Sequence, residues 1–236
     1  MCGRYQSRAD KQRITEALKV GVPPSFDFVQ SFNIAPQSVQ PIVRLSRDTS
    51  EREIALLRWG LIPFFAKDGK IAYSTINARA ETITTSPTFR EAMKRRRCLV
   101  PATGFFEWQV LGKRTKQPWA IELTDGDVFA FAGLWDRWKD RTTGQALETY
   151  TIITTFPNEL VKPLHDRMPV ILSPRDYERW LDPGDPERPP TDLLHPFSAE
   201  AMKAWKVSSA VGNANNNGPE LLRPVDPAPT LFGADT

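Results

Sequence analysis

The chain has 236 residues, 40% of them hydrophobic and 10% aromatic, enough apolar surface to bury the core of one domain of ordinary size. Its opening residues, MCGRYQSRADKQR, are polar where a secretory leader needs a long apolar stretch, and no segment approaches the length of a membrane helix, so a soluble, cytoplasmic protein without membrane attachment is expected. Two cysteines, Cys2 and Cys98, are too few for a disulfide framework or a cysteine-based zinc site, and a net charge of +3 does not by itself indicate a nucleic-acid partner.

Charge is unevenly distributed. Residues 182–236 hold eight acidic and four basic residues, a balance of −4 against +7 for the remainder. The basic part includes the run Lys94 to Arg97 and the cluster Lys113, Arg114 and Lys116, either able to lie along a phosphate backbone or to stand as solvated loop charge.

Along the chain, Ser7 and Asp10 are spaced as a capping box ahead of a helix whose Ile14, Ala17 and Leu18 share one face. Strands follow at 39–45, 53–58, 98–102, 104–110, 118–123, 128–135, 148–155 and 168–172, rich in β-branched and aromatic residues. Ser86-Pro87 opens a helix to about Arg95, and Ser173-Pro174 opens another through Trp180, each joining an N-cap to a proline at the first helical position. A short helix is expected from Ser198 to Trp205. Residues 182–190 read as a loop and residues 226–236 as a polar tail behind a domain spanning 1–225. Strands in succession, with helices inserted singly, favour an α+β fold built on a mixed or antiparallel sheet.

Cys2 follows the initiator methionine, whose removal leaves an N-terminal 1,2-aminothiol. An α-amine titrates at roughly 7.7–8.0 against about 10.4 for lysine, so near neutrality far more of it is free to attack. Such an amine condenses with an aldehyde to an imine, and the thiol then closes a thiazolidine ring. Composition alone leaves open whether Cys2 is this nucleophile or a frayed terminal residue. His165 sits in His165-Asp166-Arg167 before the apolar segment Met168 to Leu172, placed either for proton transfer or as a surface histidine. Glu107 lies within GFFEW, on the strand face it shares with Phe105. Desolvation there suits it to acid–base work, and an outward glutamate is the alternative. Asn77 and Arg79 stand two apart, on one face of an extended segment, where Arg79 can grip a phosphate. The tryptophans Trp59, Trp108, Trp135 and Trp138 serve either as base-stacking surfaces or as core. No glycine-rich phosphate loop, GxSxG elbow or HExxH motif occurs, so no nucleotide cofactor, metal or other cofactor is expected.

Taken together, MCGRY at 1–5, FNIAP at 32–36, WGLIP at 59–63, NARAET at 77–82, RRCLVPATGFFEW at 96–108, FAGLW at 131–135, HDRMP at 165–169 and AVGNANNNGPELL at 210–222 resemble the SOS response-associated peptidase (SRAP) family of abasic-site processing proteins. The resemblance runs nearly end to end. It implies a mixed, largely antiparallel, barrel-like β core with flanking helices. It also implies that Cys2 is the cross-linking nucleophile, with Asn77, Glu107 and His165 completing the active site. A groove for single-stranded DNA is implied, with Arg4, Arg79 and Arg167 on phosphates and Pro36, Trp108 and Thr154 near the lesion. The expected activity is covalent capture of abasic sites in single-stranded DNA by a monomer that associates with the nucleoid when bound. The rival readings are a cysteine peptidase acting in autoprocessing, as the family name suggests, and a plain single-strand binding module.

Overall fold

The computed structural model describes residues 2–21, 27–46, 48–113 and 115–225. The tail expected at 226–236, Met1 and Arg114 lie outside them. In chain order, β1 (Tyr5–Ser7) leads into α1 (Lys11–Leu18), then β2 (Ser31–Ile34), β3 (Val39–Leu45), β4 (Arg52–Trp59) and β5 (Asn77–Arg79). Helix α2 (Arg90–Arg95) precedes β6 (Arg97–Ala102), β7 (Gly104–Val110), β8 (Lys116–Leu123), β9 (Phe129–Lys139) and β10 (Ala146–Thr155). The chain closes with β11 (Met168–Pro169), β12 (Ile171–Leu172), α3 (Tyr177–Leu181) and β13 (Met202–Lys206).

Strands β9, β6, β3, β4 and β10 pair in that order, and β10 pairs back onto β9, closing a five-stranded barrel. Only β4 with β10 is parallel within that ring. A second sheet, all antiparallel, runs β13-β8-β7-β1-β2. The expected barrel-like α+β core is thus present.

Alternation along the barrel strands explains how both faces are buried. Val100, Phe131, Tyr150 and Ile152 share one apolar cluster with Tyr5, Phe105 and Ile121 of the second sheet, whereas Leu99, Ala132, Leu134 and Ile153 join the helix residues Ile14, Leu18, Met93 and Trp180. Closure demands a glycine at 133, where a Cβ would stand 2.8 Å from Val100 Cγ2 and 2.9 Å from Cys98 Sγ. Eight-residue α1 is too short to be stable alone. It holds because Ile14 and Leu18 are fully buried, worth roughly 2 kcal/mol each.

Several expectations need correction. Asp10 alone caps α1, accepting from the Arg13 N–H at 2.8 Å, and Ser7 ends β1 instead. Ser86-Pro87 opens a turn, with the α-helix proper beginning at Arg90. Residues 202–206 form no helix: after one 3-10 turn at Ala199–Ala201 they pair with β8 from Met202↔Leu123 to Lys206↔Trp119, because cross-strand partners outweigh local helical preference. The single strand expected at 168–172 is split. Val170 N–H donates to Ile153 O and Val170 O accepts from Ala132 N–H, wedging this segment between β9 and β10 where they part. The Lys94–Arg97 run is no phosphate track. Lys94 pairs with Glu187 and Arg96 with Asp136, while Arg97 is buried and donates to the carbonyls of Met93, Lys94, Trp180 and Asp182. Lys113 and Lys116 are exposed, Lys116 at the start of β8, a placing that suits either reading of that cluster.

Candidate active site

Cys2 stands three residues ahead of the point where β1 enters the second sheet, with Tyr5 opposite Phe105 and Gln6 opposite Gly104. Arg4 O accepts from the Phe106 N–H at 3.0 Å, so the amino-terminal segment runs beside β7. Gly104 lets β8 and the β1 residue Gln6 crowd β7 from either side, since a Cβ there would lie 2.8 Å from Glu122 Cγ, 2.9 Å from Ile121 O and 3.1 Å from Gln6 Nε2. Cys2 is fully buried, its Sγ 3.8 Å from Arg4 O. Burial, and after it the Glu107 carboxylate, push the thiol up, so it stays protonated near neutrality.

Glu107 lies two residues beyond Phe105 on β7 and is 1% exposed. Burial raises its carboxyl from 4.5 to about 7, with the charge of the chain's amino terminus opposing the shift. A carboxyl held there exchanges protons at neutral pH, as acid–base catalysis requires.

His165 is half-buried on the turn before β11. Its Nδ1 accepts from the Arg167 N–H at 3.0 Å, so the neutral ring carries its proton on Nε2. Asp166 Oδ1 is 2.9 Å from the same Nδ1, a contact favourable only once that nitrogen is protonated. Burial first, and the amino-terminal charge second, lower the His165 pKa against the pull of Asp166, so the accepting form is the relevant one near neutrality. A groove of about 570 Å³ opens beside it, lined among others by Trp108, Lys162, Leu164 and Asp166.

Asn77 begins β5 in register with Ile152 of β10. Its Nδ2 donates to Ile152 O at 3.5 Å, while Oδ1 is buried and accepts nothing among the described residues. Trp59 sets the entry to this strand, its indole N–H donating to Ile76 O at 2.8 Å.

Coulombic coupling links Cys2 with Glu107, and Glu107 with Asp166. Asn77 belongs to the barrel strand system, and its partner Ile152 lies in the same apolar cluster as Cys2. Among the residues expected on DNA, Arg79 is exposed, in register with Thr154, and its side chain forms no hydrogen bond or ion pair among the described residues. Arg4 and Arg167 have protein partners. Arg4 donates to Asn33 Oδ1, Val211 O and Gly212 O, and Arg167 to Glu81 and Thr154. Thr154 is fully buried and meets Arg167, so it stands behind the surface. Pro36 is half-buried in the turn after β2, and Trp108 half-buried on β7.

Sequence reasoning assigned no role to Asn33, which organises this region. Its Oδ1 accepts from Arg4 at 2.9 Å, and its Nδ2 donates to Val211 O, Asn213 O and Asn216 O. Asn217 Oδ1 returns the tie, accepting from the N–H groups of Phe32 and Asn33. The segments FNIAP and AVGNANNNGPELL carried the signal, but the contact spans about 180 residues of chain and no local pattern announces it.

A family model described as SOS response associated peptidase (SRAP) matches residues 1–214. The chain is 44% identical over 225 residues to the abasic site processing protein YoqW of Bacillus subtilis (strain 168), covering 94% of this chain and 99% of that one. To the abasic site processing protein HMCES of Xenopus tropicalis it is 34% identical over 221 residues, covering 81% and 65%. A crystal structure of a protein from Bacteroides thetaiotaomicron superposes with a TM-score of 0.83 at 32% identity, covering 94% of this chain and 99% of that one. Another, from Bordetella bronchiseptica, superposes with a TM-score of 0.74 at 28% identity, covering 88% and 100%.

Proposed function

The chain belongs to the SOS response associated peptidase (SRAP) family, and from that premise we propose that it captures abasic sites in single-stranded DNA as a covalent adduct on Cys2. The observation that carries this reading is the placing of a fully buried Cys2 within the field of Glu107, a carboxyl poised at about 7.

Hydrolysis of the Met1–Cys2 bond exposes the α-amine. The amine attacks the open-chain aldehyde of the abasic sugar, and the carbinolamine loses water to give an imine. Cys2 Sγ then adds to the imine carbon, its proton passing to the nitrogen, and the five-membered thiazolidine closes. The net change is one aldehyde and one aminothiol joined with loss of one water. Glu107 and His165 relay protons during ring opening of the sugar and dehydration of the carbinolamine, and Asn77 Oδ1 orients the terminus or the sugar. Arg79 holds a phosphate, with Arg4, Arg167, Pro36 and Trp108 shaping the strand's path. No cofactor enters the scheme.

Burial, which pushes the Cys2 thiol up, supports this order over a cysteine peptidase, whose nucleophile is a thiolate drawn down in pKa. The amine acts first and the thiol follows as a neutral nucleophile. Intact mass measurement after incubation with an abasic oligonucleotide tests the reading. The expected species is the chain lacking Met1, plus the oligonucleotide, minus one water, stable to boiling in detergent without a reductant and resistant to thiol alkylation at Cys2. A wild-type protein that binds the oligonucleotide but releases it on boiling overturns the reading in favour of a plain binding module. Hydrolysis of added peptides without adduct would instead support the peptidase.

A further inference from the structure

Glu81 lies in the 3-10 turn Ala80–Thr82 that follows β5, and no step above uses it. Its two carboxylate oxygens meet the Arg167 guanidinium as a fork, Nη1 to Oε1 at 2.7 Å and Nη2 to Oε2 at 3.0 Å. The same Nη2 donates to Thr154 O at 2.6 Å. Arg167 is only 8% exposed and packs its guanidinium 5.3 Å from the Phe156 ring centroid. Paired, planar donors of this kind fix an arginine more tightly than a single contact does. Burial raises the Glu81 carboxyl, but the Arg167 hydrogen bond and the charges of Arg167 and Arg79 outweigh it, leaving a net lowering that keeps it ionised.

Arg167 is also the residue whose main chain holds the imidazole. Its N–H is the donor to His165 Nδ1, and the next residue, Met168, starts β11 against Thr155. From the geometry we infer that Glu81 is a positioning residue for His165, acting through Arg167 to hold the imidazole in its Nε2-protonated form and to lock the Asn77 segment to the histidine turn. This rests on the proton-transfer role given to His165 above. The charged groups that act on the ring include Asp166 on its own turn, Lys116 on β8, and the amino terminus. Glu81 is in none of these direct contacts, so its effect must pass through Arg167.

The test has two readouts. With only two histidines in the chain, nitrogen NMR of the protein alone reports the His165 tautomer without any DNA. The wild type should show Nδ1 as an acceptor and Nε2 protonated, and Glu81→Ala should lose that single form. Adduct formation at saturating protein should slow by roughly 10- to 100-fold, the loss expected when a reacting group is displaced by about an ångström. Binding to undamaged single strands should hold or tighten, because a negative charge has been removed beside Arg167. Glu81→Gln, which keeps the shape and one hydrogen bond, should fall between the two. Arg167→Met should show the same loss of tautomer, and the double variant should be no slower than the worse single one. The inference is overturned if Glu81→Ala leaves the His165 signals unchanged, or if the rate losses of Glu81→Ala and Arg167→Met multiply. A wild type with the stated tautomer but no adduct overturns the covalent reading and leaves the positioning role standing.

Discussion

The hydroxyls of Tyr5 and Tyr150 meet at 2.8 Å in space closed to solvent. One side chain comes from the sheet that carries Cys2 and the other from the barrel strand β10, so this bond joins the two sheets behind the site. Trp59 packs both, edge-on to Tyr5 at 5.2 Å and stacked on Tyr150 at 6.3 Å between ring centroids. Removing either hydroxyl strands the other, so Tyr5→Phe and Tyr150→Phe should each destabilise by about 1–3 kcal/mol. The double variant should cost clearly less than the sum, as denaturant unfolding will report. Additive losses would mean that the two hydroxyls do not depend on each other.

Glu107 makes stability fall with rising pH. Its native value of about 7 lies above the ordinary 4.5, so between those values the folded chain holds a proton that the unfolded chain releases, and stability drops as pH climbs through that window. Glu107→Gln stays neutral throughout. It should therefore be more stable than the wild type at pH 8, by at most on the order of 3 kcal/mol, with the gap closing toward pH 4.5. The same variant should form adduct about 100-fold or more slowly, while its affinity for abasic DNA stays close to that of the wild type. Thermal unfolding across pH and time courses at saturating protein check the two halves separately.

A free terminus should matter as much as the thiol. An uncleaved extension ahead of Cys2 removes the α-amine and should block adduct formation as completely as Cys2→Ala does. Cys98 is buried beside Gly133 in the barrel, so Cys98→Ser should keep the adduct yield and lose only stability. Normal cross-linking by an extended protein with Cys2 intact would defeat the aminothiol scheme.

Arg79 is exposed and without an ion-pair partner among the described residues, so its charge is available to a phosphate. Arg79→Ala should weaken binding to single strands and flatten the dependence of log affinity on log salt by about 0.7. Arg167→Ala should change the slope less, since Glu81 already offsets that charge. Equal slopes for wild type and Arg79→Ala would remove Arg79 from the strand's path.

Asn33 ties Arg4 to the loop at 211–217, so Asn33→Ala should cost about 2–4 kcal/mol as Arg4 and the carbonyls of Val211, Asn213 and Asn216 lose a partner. It should also loosen Arg4 and the loop at 211–217, which hydrogen exchange would register as lost protection around β2.

Periodicity and composition were sufficient for most of the barrel. Strands such as β6 and β9 announce themselves as apolar, β-branched and aromatic runs because both of their faces are buried, and the cap at Asp10 and the prolines at 174 and 87 mark helix or turn starts through chemistry local to a few residues. The aminothiol at Cys2 was visible as a candidate because a terminal cysteine needs no fold to be noticed, but its assignment as the nucleophile came from the family resemblance alone. Three-residue strands such as β1 and β5 carry too little pattern to be read alone, and residues 202–206 took the strand state only because β8 offered them partners. Only the tertiary structure decided that Glu107 faces a buried interior that lifts its carboxyl to about 7, that Arg167 is held by Glu81, and that Asn33 gathers Arg4 with the loop at 211–217. Desolvation and hydrogen bonding depend on which atoms surround a group in space, and those atoms come from parts of the chain tens to hundreds of residues apart.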